Sequence, residues 1–160
     1  MTAAPTYPDY ATFAREAPLA HDALRALGQT PPGMDREIAE LVKLRVSQIN
    51  GCAFCLQIHL NLARAAGVAQ RKLDLVATWR DAGIFSDRER AALCWAECLT
   101  GLSLPGAARE RDNAYIELCA RFDGDEVLAL TTGIAGINAW NRIGAGLRFA
   151  PPPATGLVAA

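Results

Sequence analysis

Apolar side chains recur along most of this chain at intervals of three and four residues, the period of a helix buried on one face. Behind Asp35, a residue suited to cap a helix start, Ile38, Leu41, Val42, Val46 and Ile49 all point toward a core. Asn50-Gly51 breaks that helix, and the next runs from about Cys52 to Ala66, closed by Gly67. The same reading predicts helices over about 9–27, ending at Gly28, over about 69–81, ending at Gly83, and over about 107–121. Ser86-Asp87-Arg88-Glu89 forms a capping box for a helix over about 87–100, with Gly101 at its end. Asp123-Gly124-Asp125-Glu126 repeats the box spacing and opens a last helix over about 124–147. No alternating β-branched run appears, and no Asn-Gly turn lies between strand-like segments. The pattern therefore predicts an all-α single domain of about seven helices over 9–148. A disordered tail over 149–160, containing PPPATGLVAA, should follow, because proline cannot continue a helix.

The short Asn50-Gly51 connection makes the second and third predicted helices an antiparallel hairpin. On its second arm, Cys52, Cys55, His59 and Leu62 stand three, four and three apart, so all four share a face. Cys52 falls in the first turn, where free backbone N–H groups and the helix dipole favour a thiolate. Glu40 lies about ten residues before the turn and His59 about nine after it. At roughly 1.5 Å rise per residue, both sit about 13–16 Å from the turn, level with each other. A line Glu40–His59–Cys55–Cys52 follows, and it has a chemical logic. An imidazole can take a thiol's proton, a carboxylate can orient the imidazole, and a second thiol can close a disulfide after oxidation. Helix position favours Cys52 as the attacking thiol, whereas nearness to the base favours Cys55, and spacing alone leaves both open.

Composition narrows the setting of that chemistry. The chain is 51% hydrophobic and 21% charged, with 16 basic against 17 acidic residues and a formal charge of −1. Nothing in this balance attracts a nucleic acid or an anionic membrane. MTAAPTYPDYATFAREA lacks the basic start and apolar run of a secretory signal, and VLALTTGIAGINAWN is too short and too polar to span a bilayer. A cytoplasmic protein is expected. Five cysteines, an odd number in a chain this apolar, do not form a secreted disulfide framework.

The pattern Glu40-x11-Cys52-x2-Cys55-x3-His59 resembles the AhpD-like alkylhydroperoxidases of the carboxymuconolactone decarboxylase superfamily. So do the phrases LVKLRVSQINGCAFCLQIH, ATWRDAGIFSDRERAALCWAE and INAWNRIG, and the resemblance spans roughly 10–148. It implies an all-α oligomer, a trimer or hexamer, that reduces hydroperoxides with a thiol pair and needs no metal or other cofactor. On that scheme Cys55 becomes the sulfenic acid. Cys52 is proton donor and resolving thiol, while Glu40 and His59 form the proton relay. An external dithiol, such as a lipoyl-bearing protein, resets the pair. One departure is clear: the best-known peroxidases of the family carry a histidine just before the second cysteine, and here that residue is Phe54. The relay is shorter and the approach more apolar, which raises a general thiol–disulfide exchange role as the alternative. Decarboxylating members of the superfamily do not use a cysteine pair.

Other readings compete for the same residues. Cys52, Cys55 and His59 offer zinc three ligands, although structural zinc pairs sit on turns rather than along a helix. The thiols can also be buried without a role, in a scaffold that keeps the hairpin but not the chemistry. Glu40 has Lys43 and Arg36 within reach as ion-pair partners. Core packing accounts for Cys94, Cys98 and Cys119 and, with a subunit interface as the alternative, for Trp79, Trp95 and Trp140. His21, on the first helix, lacks the carboxylate and thiols that accompany His59, and the glycines of 133–146 suit close helix packing.

Overall fold

The computed structural model describes residues 6–154, apart from the side chains of residues 107 and 108. Its described residues are helical, with no strand among them. In chain order the helices are α1 (Tyr10–Glu16), α2 (Pro18–Leu27), α3 (Arg36–Ile49), α4 (Ala53–Ala66) and α5 (Gln70–Leu75). A 3-10 turn over Val76–Thr78 leads to α6 (Trp79–Ala82), followed by α7 (Asp87–Thr100), α8 (Ala107–Cys119) and α9 (Gly124–Gly146).

The ends of the long helices are set by local chemistry. Asp35 accepts from the backbone N–H of Glu37 and Ile38 at 2.9 and 3.3 Å and so starts α3. Both capping boxes form: Ser86 with Glu89 opens α7, and Asp123 with Glu126 opens α9. Such caps contribute about 1 kcal/mol each. Gly67 closes α4 at φ 101°, a left-handed geometry that costs glycine nothing.

Two predicted helices are each split. The stretch expected as one helix over 9–27 breaks at Ala17, because Pro18 lacks a backbone N–H and instead opens α2. The stretch over 69–81 tightens into a 3-10 turn between α5 and α6. Ile49, expected in the core, is 42% exposed at the end of α3, and Cys119, also expected there, is exposed at the end of α8.

The hairpin of α3 and α4 is the spine of the molecule. Leu41 and Leu44 of α3 pack with Ala63, Val76, Trp79 and Leu93 in one core. Ile38, Val42 and Val46 face a second core with Cys52, Phe54, Leu118, Ile134 and Ile137. Glu97 ties α3, α6 and α7 together by accepting from Arg45 at 2.6 Å, from the Trp79 indole at 2.9 Å, and from Arg80. Past α9, Phe149 is buried against Tyr10, Phe13 and Phe54, and the Pro153 carbonyl accepts from Asn61 at 3.0 Å. The chain up to that point therefore lies against the domain; the rest of the tail expected to be disordered, 155–160, lies outside the described residues.

Close helix approach also positions the site. A Cβ on Gly136 would meet Leu27 Cγ at 3.2 Å, so this glycine lets α9 lie against the end of α2. A Cβ on Gly144 would meet Cys52 Sγ at 3.0 Å and Cys55 Sγ at 3.3 Å, which sets the thiols directly against the α9 backbone.

Candidate active site

The hairpin arithmetic holds at atomic distance. His59 Nδ1 and Glu40 Oε2 are 2.7 Å apart across α3 and α4, both residues largely buried. A carboxylate at Nδ1 holds the proton there, so Nε2 is the basic nitrogen of the neutral ring. The other carboxylate oxygen, Oε1, accepts from Lys43 Nζ at 3.2 Å, and Lys43 also donates to the Gly28 carbonyl at 3.0 Å and the Thr30 hydroxyl at 3.2 Å. The His59 and Lys43 partnerships of Glu40 therefore coexist. Burial pushes the Glu40 carboxyl up, but the hydrogen bond and charge of His59, joined by Lys43, outweigh it and hold the group below its ordinary range.

Cys52 caps α4: its sulfur accepts from the Cys55 backbone N–H at 3.3 Å. The two sulfurs are 2.7 Å apart, share a hydrogen bond, and belong to free thiols that are 1% and 3% exposed. Donation from Cys55, first from its thiol and then from its backbone N–H, overcomes burial and lowers the Cys52 thiol to about 7. The Asn141 amide and the backbone N–H of Phe54 act in the same direction. Cys55 moves the opposite way, held protonated by its hydrogen bond to Cys52, by burial and by the neighbouring negative charge. When one thiol of the pair ionises, the charge therefore rests mainly on Cys52.

Access distinguishes the two thiols in the opposite sense. A cavity of about 720 Å³ opens beside the hairpin, and Cys55, His59 and Glu40 line it while Cys52 does not. Phe54, Tyr10 and Trp140 supply aromatic wall. The Phe54 ring stands 5.2 Å from that of Tyr10.

Three features lie outside the sequence reading. Asn141, 1% exposed on α9, donates to the Ser47 hydroxyl at 3.1 Å and accepts from Asn50 at 2.9 Å, which fixes its amide beside the thiols of its own chain. Lys43, beyond its ion pair with Glu40, anchors the loop before α3 through its bonds to the Gly28 carbonyl and the Thr30 hydroxyl. His21 also has polar partners: its Nε2 lies 2.9 Å from the Tyr10 hydroxyl and its Nδ1 3.0 Å from the neighbouring Asp22. Trp140 packs on His21 and donates to the Leu24 carbonyl at 3.2 Å, within its own chain. Among the described residues no cluster of three or more His, Cys, Asp or Glu is arranged to hold a metal ion. None of the described helices is long and apolar enough to cross a membrane.

A capped thiol pair and a carboxylate–imidazole dyad thus stand together on one helical hairpin of an all-α fold. Residues 16–97 match the carboxymuconolactone decarboxylase family, and the chain belongs to that family as an AhpD-like member. It is 36% identical over 110 residues to the uncharacterized protein YdfG of Bacillus subtilis, covering 69% of this chain and 73% of that one. It is also 49% identical over 39 residues to the alkyl hydroperoxide reductase AhpD of Nocardia farcinica, 24% of this chain and 22% of that one. Among solved structures, a protein of unknown function from Agrobacterium tumefaciens, proposed as an AhpD antioxidant defence protein, superposes with a TM-score of 0.82. It is 34% identical, over 93% of this chain and 99% of that one. The debrominase Bmp8 shares the fold at a TM-score of 0.70 and 18% identity, over 90% of this chain and 76% of that one. The fold thus also serves chemistry other than peroxide reduction.

Proposed function

We propose that this chain is a thiol-dependent peroxidase that reduces organic hydroperoxides through Cys55 and Cys52. The observation that carries the reading is the combination of a 2.7 Å Glu40–His59 pair with a thiol, Cys55, that lines the same cavity and touches a second, enclosed thiol. A small proton shift along the sulfur–sulfur hydrogen bond moves the shared charge from Cys52 to Cys55, the thiol that substrate can reach. His59, oriented by Glu40, also serves as the base.

Cys55 sulfur then attacks the terminal oxygen of the hydroperoxide. The O–O bond breaks, Cys55 becomes a sulfenic acid, and the leaving alkoxide takes a proton from Cys52 or His59 and departs as the alcohol. Cys52 thiolate next attacks the sulfenic sulfur, forming a disulfide and expelling hydroxide, which is protonated to water. The peroxide has gained two electrons and the thiol pair has lost two. An external dithiol, for example a lipoyl group on a partner protein, returns them by exchange, and a homo-oligomer such as a trimer or hexamer is the assembly this reading expects.

The test is stopped-flow loss of thiols from reduced protein mixed with an organic hydroperoxide at neutral pH. A fast phase consuming two thiols, absent in Cys55→Ser, supports the reading. A fast phase that persists in Cys55→Ser transfers the attack to Cys52. A wild type no faster than a free thiol rejects the peroxidase and leaves thiol–disulfide exchange.

A further inference from the structure

The cavity is far larger than the chemistry at its floor requires. A hydroperoxyl group occupies little more than a water, about 30 Å³, whereas about 720 Å³ is open here, a volume typical of sites for whole organic molecules. Tyr10, Phe54, Ile58, Leu62, Ile137 and Trp140 make much of the wall apolar.

The charged wall residues are distributed unevenly. Among the described residues Glu40 is the one acid lining the cavity, and its carboxylate is already occupied by His59 and Lys43. Two arginines line it as well, Arg25 near the end of α2 and Arg36 at the first position of α3, on either side of the loop that forms part of the same wall. Neither makes an ion pair or a hydrogen bond among the described residues. Arg45, Arg80, Arg88 and Arg121, by contrast, each hold a carboxylate. Of the acids near the two arginines in sequence, Asp22 is bound to His21 and Asp35 to the backbone at the start of α3, and Glu37 does not line the cavity. The charge of Arg25 already favours ionisation of the Tyr10 phenol, against the larger opposing effect of burial, so its field reaches the cavity wall.

An apolar hollow with two uncommitted guanidinium groups and no available acid is complementary to an amphipathic anion. The geometry points to a substrate that is an organic acid with an apolar body, a fatty-acid-like hydroperoxide whose carboxylate is held by Arg25 and Arg36 while its hydroperoxyl group reaches Cys55. The naming of a hydroperoxide rests on the peroxidase reading above; the carboxylate site does not.

The experiment has a binding arm and a turnover arm, both on the full chain. In the first, octanoate and methyl octanoate are titrated into reduced protein by calorimetry. The acid should bind at least about tenfold tighter than the ester, and that advantage should vanish in Arg25→Gln/Arg36→Gln and shrink with added salt. In the second, a fatty-acid hydroperoxide and its methyl ester are compared as substrates. The acid should have a kcat/KM about tenfold higher, falling to parity in the double variant through KM. Acid-selective binding without turnover of either peroxide would sustain the carboxylate site and reject the peroxidase. Turnover of both peroxides at equal kcat/KM, unchanged in the double variant, would overturn the carboxylate site and leave the peroxidase standing. Absence of both binding and turnover would reject both. The wild-type comparison of acid with ester decides the question even if the double variant folds poorly.

Discussion

Two pairs of cysteines lie on helices in this molecule, and their sequence spacings are nearly alike. Cys52 and Cys55 are three apart at the start of α4, and Cys94 and Cys98 are four apart in the body of α7. At the first pair a backbone N–H, the partner thiol and the Asn141 amide all point donors at sulfur, and Cys52 falls to about 7. At the second pair the helix's own N–H groups are already committed to its backbone bonds. Burial, joined by the neighbouring Cys94, pushes Cys98 up to about 11. Arg80 interacts with Cys94 there, but its guanidinium is held by Glu97. The ionisation of a cysteine pair therefore depends on where in the helix it sits and on what donates to it, the partner thiol first of all.

The largest effect that bears on this contrast should come from removing thiols. Cys55→Ser is expected to slow thiol loss to an organic hydroperoxide at least roughly a hundredfold, while Cys94→Ser/Cys98→Ser should stay within about twofold of wild type. Equal losses at the two pairs in that stopped-flow measurement would erase the distinction. Next in size, His59→Gln and Glu40→Gln should each lower the second-order rate by about a hundredfold, the usual worth of a general base. Glu40→Gln should also lower stability by about 1–3 kcal/mol, because buried Lys43 loses its counter-charge, and urea denaturation reads that separately.

A pH titration sharpens the contrast further. Cys52 is lowered to about 7 and Cys98 raised to about 11, so between pH 6 and 8 Cys52 changes state and Cys98 does not. Deprotonation increases with pH, and ultraviolet thiolate absorbance should therefore rise about tenfold over that window, with no such rise in Cys52→Ser. Asn141→Ala should move the midpoint upward, since its amide lowers both thiols. The smallest effect belongs to the glycines. Gly144→Ala places a methyl group 3.0 Å from Cys52 Sγ and should cost about 1–3 kcal/mol in unfolding free energy. Gly133→Ala, with nothing within 4 Å of its Cβ, should gain up to about 1 kcal/mol from helix propensity.

Some of this was legible in the sequence for physical reasons that can be named. Helix rise is constant, so counting residues from Asn50-Gly51 places Glu40 opposite His59, and the 2.7 Å contact follows. Capping boxes are local, and both predicted ones form. The break at Ala17 was equally local and was missed because the apolar period runs on past Pro18, which starts a helix as readily as it ends one. The rest is long-range. Asn141 comes 86 residues after Cys55 and reaches the thiols only because Gly136 and Gly144 let α9 approach α2 and α4. The Tyr10–His21–Asp22 chain depends on how α1 folds back on α2, which no periodicity encodes.

The cap at the head of α4 has a consequence of its own. Most helices begin on a side chain that never changes, such as the Asp35 carboxylate of α3. Here the group holding the Cys55 amide is the Cys52 sulfur, itself a proposed reactant. On the proposed chemistry, that sulfur tied into a disulfide would carry no charge and be a much poorer acceptor, so the first turn of α4 would loosen with each oxidation and tighten with each reduction. Amide exchange at Cys55 would then keep time with the proposed turnover.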